Sequence, residues 1–278
     1  MKKMRRPTMW LLLLGLLAVS PLIFAQDLIL TAPPREKPAD GQKQYGPLAD
    51  YLTKLLGRKV VYLHPAGWLE YQRDMREDKY DIIFDGPHFI SWRIAHLGNE
   101  VLVRLPGTLE FYLIAKKSDD KLNSINDMIA QEFCGINPPN LATLSILTAF
   151  DNPVRQPVIK GIRGGAATVY KAFMDGQCPA AVVRAKFFTK VLKEDQRAKL
   201  KIIYASKPFP DQAISVSKRV TAREKSLMVQ ALTIGDGVKA TQPIVKRFGG
   251  KATHFIPAKQ ADYVGMNNLL EGVIFGWE

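Results

Sequence analysis

The chain has 278 residues, and its 39 basic and 26 acidic side chains give a formal charge of +13. The basic residues are scattered rather than gathered in one stripe, which disfavours nucleic acid as a partner. The surplus of positive charge favours anionic partners, although a solvated basic surface would give the same net charge. A chain of this length is long for a single hydrophobic core and fits two lobes.

The first 25 residues have the pattern of a signal peptide. Four basic residues lie within the first six positions, an apolar stretch covers 10–19, and Pro21 interrupts it before a cleavage site near Ala25. The alternative is an uncleaved membrane anchor, because 9–25 is nearly long enough to span a bilayer. We expect export to the periplasm, and removal of this segment lowers the formal charge to +9 because four basic and no acidic residues are lost. No later apolar run reaches the length of a membrane helix, so the mature chain is expected to be soluble.

From residue 27 onward, apolar strands alternate with amphipathic helices. The predicted strands of the first half are Asp27–Thr31, Lys59–Leu63, Tyr80–Phe84, Glu100–Leu105 and Phe111–Lys116. The predicted helices are Gln42–Leu56, Trp68–Arg76 and Pro87–His96. Gly57 is a suitable stop for the first helix, and Pro87 is a suitable first residue for the third. This alternation predicts a largely parallel sheet that is covered by helices on both faces.

A second alternation begins after the polar stretch Lys116–Leu122. Its predicted strands are Phe133–Ile136, Pro157–Lys160, Ala180–Val183, Lys201–Ala205 and Ala213–Ser217. Its predicted helices are Ser124–Ala130, Asn140–Phe150, Ala166–Met174 and Phe187–Leu192, and the chain from Thr221 onward is mostly helical in pattern. We therefore expect an α/β fold of two lobes joined by two hinge segments, the second near Pro208–Gln212. The expected division is a signal peptide at 1–25, the first lobe at 26–116, the second lobe at 117–210, and a return to the first lobe with C-terminal helices at 211–278.

Two junctions between a strand and a helix are candidate binding sites, because ligands of open α/β sheets lie beyond the carboxyl ends of the strands. In the first lobe, Gly86 permits close backbone approach, Asp85 can cap the following helix, and His88 lies in its first turn. In the second lobe, Asn140 is a suitable N-cap and Thr143 lies in the first turn. Helix N-termini bind anions, although most such junctions are ordinary capped helices.

Two arginines follow strands of the second lobe. Arg163 lies in a glycine-rich turn that lacks the lysine and the spacing of a P-loop, so nucleotide hydrolysis is not supported. Arg184 ends the strand Ala180–Val183 and is expected at the same carboxyl edge as the junctions. The planar guanidinium group suits phosphate or carboxylate oxygens, and a solvated surface position is the competing interpretation for both residues.

The two cysteines, Cys134 and Cys178, are expected to form a disulfide in an oxidising compartment. Two buried thiols are the alternative. The four histidines show no short ligand spacing, so we predict neither a metal site nor a cofactor.

Three segments resemble the phosphate/phosphite/phosphonate-binding periplasmic proteins, which are the substrate-binding proteins of phosphonate ABC transporters. They are Tyr45–Leu52 with Leu56–Val60, Tyr80–Pro87 and Val169–Val183. The resemblance covers most of the mature chain and implies the type II periplasmic-binding fold, a hinge between two lobes, and binding without catalysis. Two departures leave the ligand open: the turn at 137–143 has fewer hydroxyl groups than the family pattern, and 164–166 lacks the histidine that the family often carries there.

Together these features predict a periplasmic receptor that captures a small anionic, phosphate- or phosphonate-like solute for the permease of an ABC importer. The predicted ligand-binding residues are Tyr45, over the mouth of the cleft, with Asp85, Gly86, His88, Asn140, Thr143 and Arg184. A periplasmic adaptor for a sensor histidine kinase is the alternative. A cleft hydrolase or transferase is a weaker hypothesis, because the chain shows neither a nucleophile elbow with Ser-His-Asp order nor a metal cluster. We expect a monomer.

Overall fold

The computed structural model describes residues 26–272. The predicted signal peptide and cleavage site therefore lie outside the described residues, as do the last six residues. The strands within the described part are β1 (Leu28–Thr31), β2 (Val60–Tyr62), β3 (Ile82–Asp85), β4 (Glu100–Arg104), β5 (Thr108–Leu109), β6 (Phe111–Lys116), β7 (Glu132–Gly135), β8 (Val158–Gly161), β9 (Ala180–Arg184), β10 (Leu200–Ala205), β11 (Phe209–Pro210), β12 (Ala213–Val216) and β13 (Ile256–Pro257).

The helices cover the faces of the sheets and fill the C-terminal part of the chain. They are α1 (Pro38–Leu56), α2 (Trp68–Arg76), α3 (Pro87–Leu97), α4 (Leu141–Leu147), α5 (Ala166–Met174), α6 (Ala185–Lys190), α7 (Glu194–Arg197), α8 (Ala222–Thr233), α9 (Gly237–Ala240), α10 (Gln242–Phe248) and α11 (Asn268–Glu271), with 3₁₀ turns at Ile125–Met128 and Gln260–Tyr263. The first helix ends at Gly57, whose φ of 62° lies in the left-handed region that glycine adopts without strain. Over residues 26–272, no helix combines the length and apolar character that crossing a bilayer requires.

Two mixed sheets form the frame, one in each lobe. The six-stranded sheet has the order β13-β4-β12-β3-β1-β2, and the five-stranded sheet has the order β10-β6-β9-β7-β8. In each sheet three neighbouring strands are parallel, namely β2-β1-β3 and β8-β7-β9. The expected sheets were largely parallel, but β4 and β12, like β6 and β10, pair antiparallel with their neighbours. These four strands are the ones that directly precede or follow the two crossings between the lobes, where the chain changes direction.

The crossings are short strands rather than a polar loop. β5 and β11 pair antiparallel with each other, with Leu109 opposite Phe209. The predicted boundary at residue 116 placed Phe111–Lys116 in the first lobe, but this strand pairs with β9 and β10 in the second sheet. Strand pattern alone does not reveal which sheet a strand will join, and this is why the first crossing was placed about ten residues too late.

Each sheet has its own apolar core, and the C-terminal helix α11 contacts both. Leu269 packs in the core cluster that contains Phe133 of the second sheet. Leu270 packs with Tyr71 and Phe89 of the first lobe, in a cluster that also contains Leu144 from α4. The lobes are therefore joined by apolar contacts as well as by the paired crossing strands.

The predicted disulfide is confirmed. Cys134 on β7 is bonded to Cys178, which lies just before β9, and the two residues are 44 positions apart. Both cysteines are buried beside Phe173 of α5. The bridge thus ties β7, the middle strand of the parallel set β8-β7-β9, to the connection that follows α5.

Replacing both cysteines with alanine should lower the free energy of unfolding by about 2–4 kcal/mol, because the bridge restricts the unfolded chain. Urea denaturation followed by circular dichroism measures the change. Dithiothreitol should lower the midpoint of the wild-type protein and leave that of the double variant unchanged. Equal midpoints for the oxidised wild type and the double variant would contradict this role.

Candidate functional site

The two predicted strand-to-helix junctions face each other across the gap between the lobes. Nε2 of His88, in the first turn of α3, lies 3.0 Å from the backbone oxygen of Pro139. Pro139 belongs to the turn that connects β7 with α4. The carboxyl ends of the parallel strands of both lobes therefore meet at one place, as the position of binding sites in α/β sheets requires.

Asp85 ends β3 and is fully buried. Its Oδ2 accepts hydrogen bonds from the Tyr71 hydroxyl and from Nη1 of Arg93, the latter at 2.7 Å. Its Oδ1 accepts from the backbone N–H of Gly86 at 2.8 Å and lies 3.6 Å from Nη2 of Arg35. Asp85 was expected to cap α3, but Gly86 occupies the N-cap position without a side chain. The carboxylate instead holds two arginines at the head of the helix.

Arg35 lies in the site although it was not among the predicted ligand-binding residues. It follows β1 by a short loop, and its guanidinium lies over the ring of Phe248 at 5.6 Å. Its Nη1 is buried and has no hydrogen-bond partner in the described chain. The nearby Glu36 is paired with Arg247 at 2.9 Å. The charges of Glu36 and Arg247 cancel each other. Asp85 faces both Arg35 and Arg93, so the first-lobe wall keeps one excess positive charge.

His88 is neutral in this environment, because burial lowers the pKa of its ring to about 4. A carbonyl oxygen only accepts, so Nε2 carries the proton that is donated to Pro139. In a neutral ring Nδ1 is then an acceptor, and this atom is buried with no hydrogen-bond partner in the described part of the chain. His88 was predicted as a ligand-binding residue of an anion site. The geometry instead suits acceptance of a hydrogen bond from a protonated oxygen.

Tyr45 lies beneath the wall rather than over a mouth. The residue is fully buried, and its ring is 5.2 Å from that of Tyr62 and 6.2 Å from that of Phe84. Its hydroxyl has no partner among the described residues, and burial raises the pKa of the phenol. Helical spacing placed Tyr45 on α1 but does not show which way its ring points. In the structure the ring packs in the apolar core.

The second-lobe wall uses its side chains largely to hold its own turn. Oδ1 of Asn140 accepts from the backbone N–H of Ala142 at 3.0 Å, so the predicted N-cap is confirmed. The Thr143 hydroxyl donates to the backbone oxygen of Ile136. Contact of either side chain with a ligand stays a prediction.

Arg184 lies at the hinge end of the same edge. It is the last residue of β9, which runs parallel to β7, and it pairs with Phe111 at the start of β6. Burial lowers the pKa of its guanidinium. Arg163 is exposed before α5. Within residues 26–272, no group of three or more His, Cys, Asp or Glu side chains is arranged to hold a metal ion.

The comparison with protein families decides the identity of this two-lobed protein. The profile described as "ABC transporter, phosphonate, periplasmic substrate-binding protein" matches residues 30–263. The chain belongs to this family. As a substrate-binding protein of that family, it acts in the periplasm as the receptor of an ABC transporter, as the resemblance implied. A comparison with curated protein sequences finds no match.

Solved structures confirm the type II periplasmic-binding fold. XAC2383 from Xanthomonas citri, bound to ATP, has a TM-score of 0.68 and 12% identity over 88% of this chain and 96% of its own. PhnD1 from Prochlorococcus marinus, in complex with methylphosphonate, has a TM-score of 0.63 and 13% identity over 88% and 97%. A binding protein component of an ABC phosphonate transporter from Pseudomonas aeruginosa has a TM-score of 0.58 and 14% identity over 87% and 85%. At such low identity the likeness shows the fold alone.

The substitution Asp85→Asn in this substrate-binding protein should lower the free energy of unfolding by about 3–5 kcal/mol, because it leaves Arg93 buried without a counter-charge. Chemical denaturation measures the change. Asp175→Asn, which breaks an exposed pair with Lys171, is the matched control and should leave the midpoint almost unchanged. A loss of stability no greater than that of the control would show that the buried pair does not stabilise the fold.

Acid should destabilise the protein through His88. Between pH 6.5 and about 4 the unfolded chain binds a proton at this position that the folded chain does not, so the free energy of unfolding should fall by up to roughly 3 kcal/mol across that window. Urea titrations at several pH values measure the slope. His88→Asn should flatten it, whereas His254→Asn, at an exposed position, should not. Equal slopes for the wild type and His88→Asn would refute the assignment.

Proposed function

We propose that the protein captures a small oxyanion of the phosphate or phosphonate type between its lobes and presents it to the membrane permease of an ABC importer. One observation carries the proposal. The first-lobe wall has one positive charge in excess. Beside the place where the lobes meet lie a donor on Arg35 and an acceptor on His88 that have no hydrogen-bond partner within residues 26–272.

The chemistry of this wall suits a singly protonated oxyanion. Arg35 supplies a charged N–H donor, and Asp85 holds the guanidinium in place from the protein side. His88 Nδ1 can accept from the one hydroxyl of a phosphonate monoanion or of hydrogen phosphate. The structures of similar fold contain methylphosphonate and ATP, and both molecules present phosphoryl oxygens.

In the proposed mechanism, solute that is bound to one lobe gains contacts with the other when the gap closes, so binding shifts an open–closed equilibrium. The paired crossing strands β5 and β11 are the hinge. We propose binding without catalysis: Asp85 has both oxygens engaged by donors, which leaves it a poor base. Of the predicted ligand residues, Gly86, Asn140 and Thr143 shape the walls in this proposal, and Tyr45 supports the first wall from below.

The permease is the partner that family membership favours. A sensor histidine kinase could read the same closed form, which would make the protein a signalling adaptor. Genes for a permease and an ATPase beside this one favour import, and a histidine kinase gene favours signalling. The protein is proposed to act as a monomer after removal of residues 1–25.

Isothermal calorimetry with methylphosphonate, phosphite and inorganic phosphate tests the proposal. At 100 times its dissociation constant, a bound oxyanion should raise the free energy of unfolding by about 2.7 kcal/mol, which a thermal-shift assay detects. Arg35→Gln should weaken binding about tenfold or more, since a charged hydrogen bond is lost.

Lys54→Gln, at an exposed position near the far end of α1, is the control and should bind normally. The absence of a heat signal and of a thermal shift with all three oxyanions would reject the proposed ligand class. Unchanged affinity in Arg35→Gln would remove this arginine from the site.

A further inference from the structure

The second lobe fixes which nitrogen of the His88 ring carries the proton. Nε2 lies 3.0 Å from the backbone oxygen of Pro139, and because that oxygen only accepts, the proton of the neutral ring is on Nε2. Nδ1 therefore keeps its lone pair. The residue is only 3% exposed, and Nδ1 has no hydrogen-bond partner within residues 26–272. The contact between the lobes thus makes this atom of the site an acceptor and not a donor.

A glycine leaves the Nδ1 side of the ring without a covering side chain. A Cβ atom on Gly86 would lie 3.1 Å from Nδ1 and 2.8 Å from Cε1 of His88. The backbone of Gly86 has a φ of −79° and a ψ of 159°, which any residue adopts, so space rather than conformation favours glycine at this position. A larger residue here would stand against the lone pair of Nδ1.

The charges around this place favour an oxygen that carries a proton. Asp85, Arg35 and Arg93 are the charged side chains that act on the His88 ring. Oδ1 of Asp85 accepts from the Gly86 N–H at 2.8 Å and lies 3.6 Å from Nη2 of Arg35, so one carboxylate joins Arg35 to the glycine beside Nδ1. An ionised oxygen at Nδ1 would face a lone pair and a nearby carboxylate, whereas a hydroxyl group would donate to the lone pair.

We infer that Nδ1 of His88 selects the solute by its proton, so that the protein binds tetrahedral oxyanions that keep a hydroxyl group and rejects sulfonates and sulfate. A phosphonate monoanion donates its O–H to Nδ1 while Arg35 binds an ionised oxygen of the same group. A sulfonate has the same shape but no hydrogen to donate. A site built to hydrogen-bond a hydroxyl group rejects an analogue that lacks it, because the buried polar atom of the site is then left unpaired.

This inference rests on the proposed function and makes His88 its specificity-determining residue. Calorimetry with methylphosphonate and methanesulfonate tests it, because the methylphosphonate monoanion and methanesulfonate share charge, shape and methyl group and differ by one proton. The titrations are made below the second ionisation of methylphosphonate and above the pKa of about 4 of the His88 ring. The wild-type protein should bind methanesulfonate about 10- to 100-fold more weakly, as expected for a buried acceptor that is left unpaired.

His88→Asn is the informative variant, because an amide can turn either its oxygen or its N–H toward the solute. It should bind methylphosphonate more weakly than the wild type does and methanesulfonate more tightly. The gain for methanesulfonate is the decisive result, since a role of His88 in folding alone would weaken both ligands. His254→Asn, at an exposed position, is the matched control and should leave both affinities unchanged.

Equal affinities of the wild type for the two compounds, or parallel losses for both in His88→Asn, would overturn the inference and leave the proposed function standing. Arg35→Gln should still weaken the binding of methylphosphonate in that case. The comparison of the two ligands on the wild type does not depend on the stability of any variant. Failure of the wild type to bind methylphosphonate, phosphite or inorganic phosphate would remove the proposed function and the inference with it.

Discussion

At the carboxyl end of β3, a carboxylate without access to solvent faces two guanidinium groups. Removing Asp85 and Arg93 from water is expensive, and their hydrogen bonds to each other and to Tyr71 must offset that cost. The arrangement also brings together α2, β3, α3 and the loop after β1, each of which contributes one member. The position of Arg35, and with it the charge of the wall, depends on this one buried acid.

The two walls of the gap contribute differently to the proposed site. The first lobe supplies the excess charge and the two polar atoms, on Arg35 and His88, that have no hydrogen-bond partner among the described residues. The polar side chains of the second-lobe turn, Asn140 and Thr143, are occupied within the turn itself. Arg184 and Lys186 of the second lobe line a separate pocket at the hinge end.

Local patterns in the sequence predicted most of the elements, because hydrophobic period and helix boundaries are set by neighbours along the chain. Helix α5, at Ala166–Met174, has the predicted bounds, and α3 begins at the predicted proline. Sheet membership depends on distant pairing, so Phe111–Lys116 was assigned to the wrong lobe. Arg35 was missed because an irregular loop has no period, although its place in the short loop after a parallel strand was a usable signal.

The short helix α11 places Leu269 in the core of one lobe and Leu270 against the other. Any motion that separates α3 from α4 must therefore expose at least one of these leucine side chains, at a free-energy cost of up to roughly 1.5–3 kcal/mol. That cost enters the apparent dissociation constant through the fraction of molecules in the binding-competent shape. Substitutions in this terminal helix would then tune solute affinity from a distance, without altering a single atom that the solute touches.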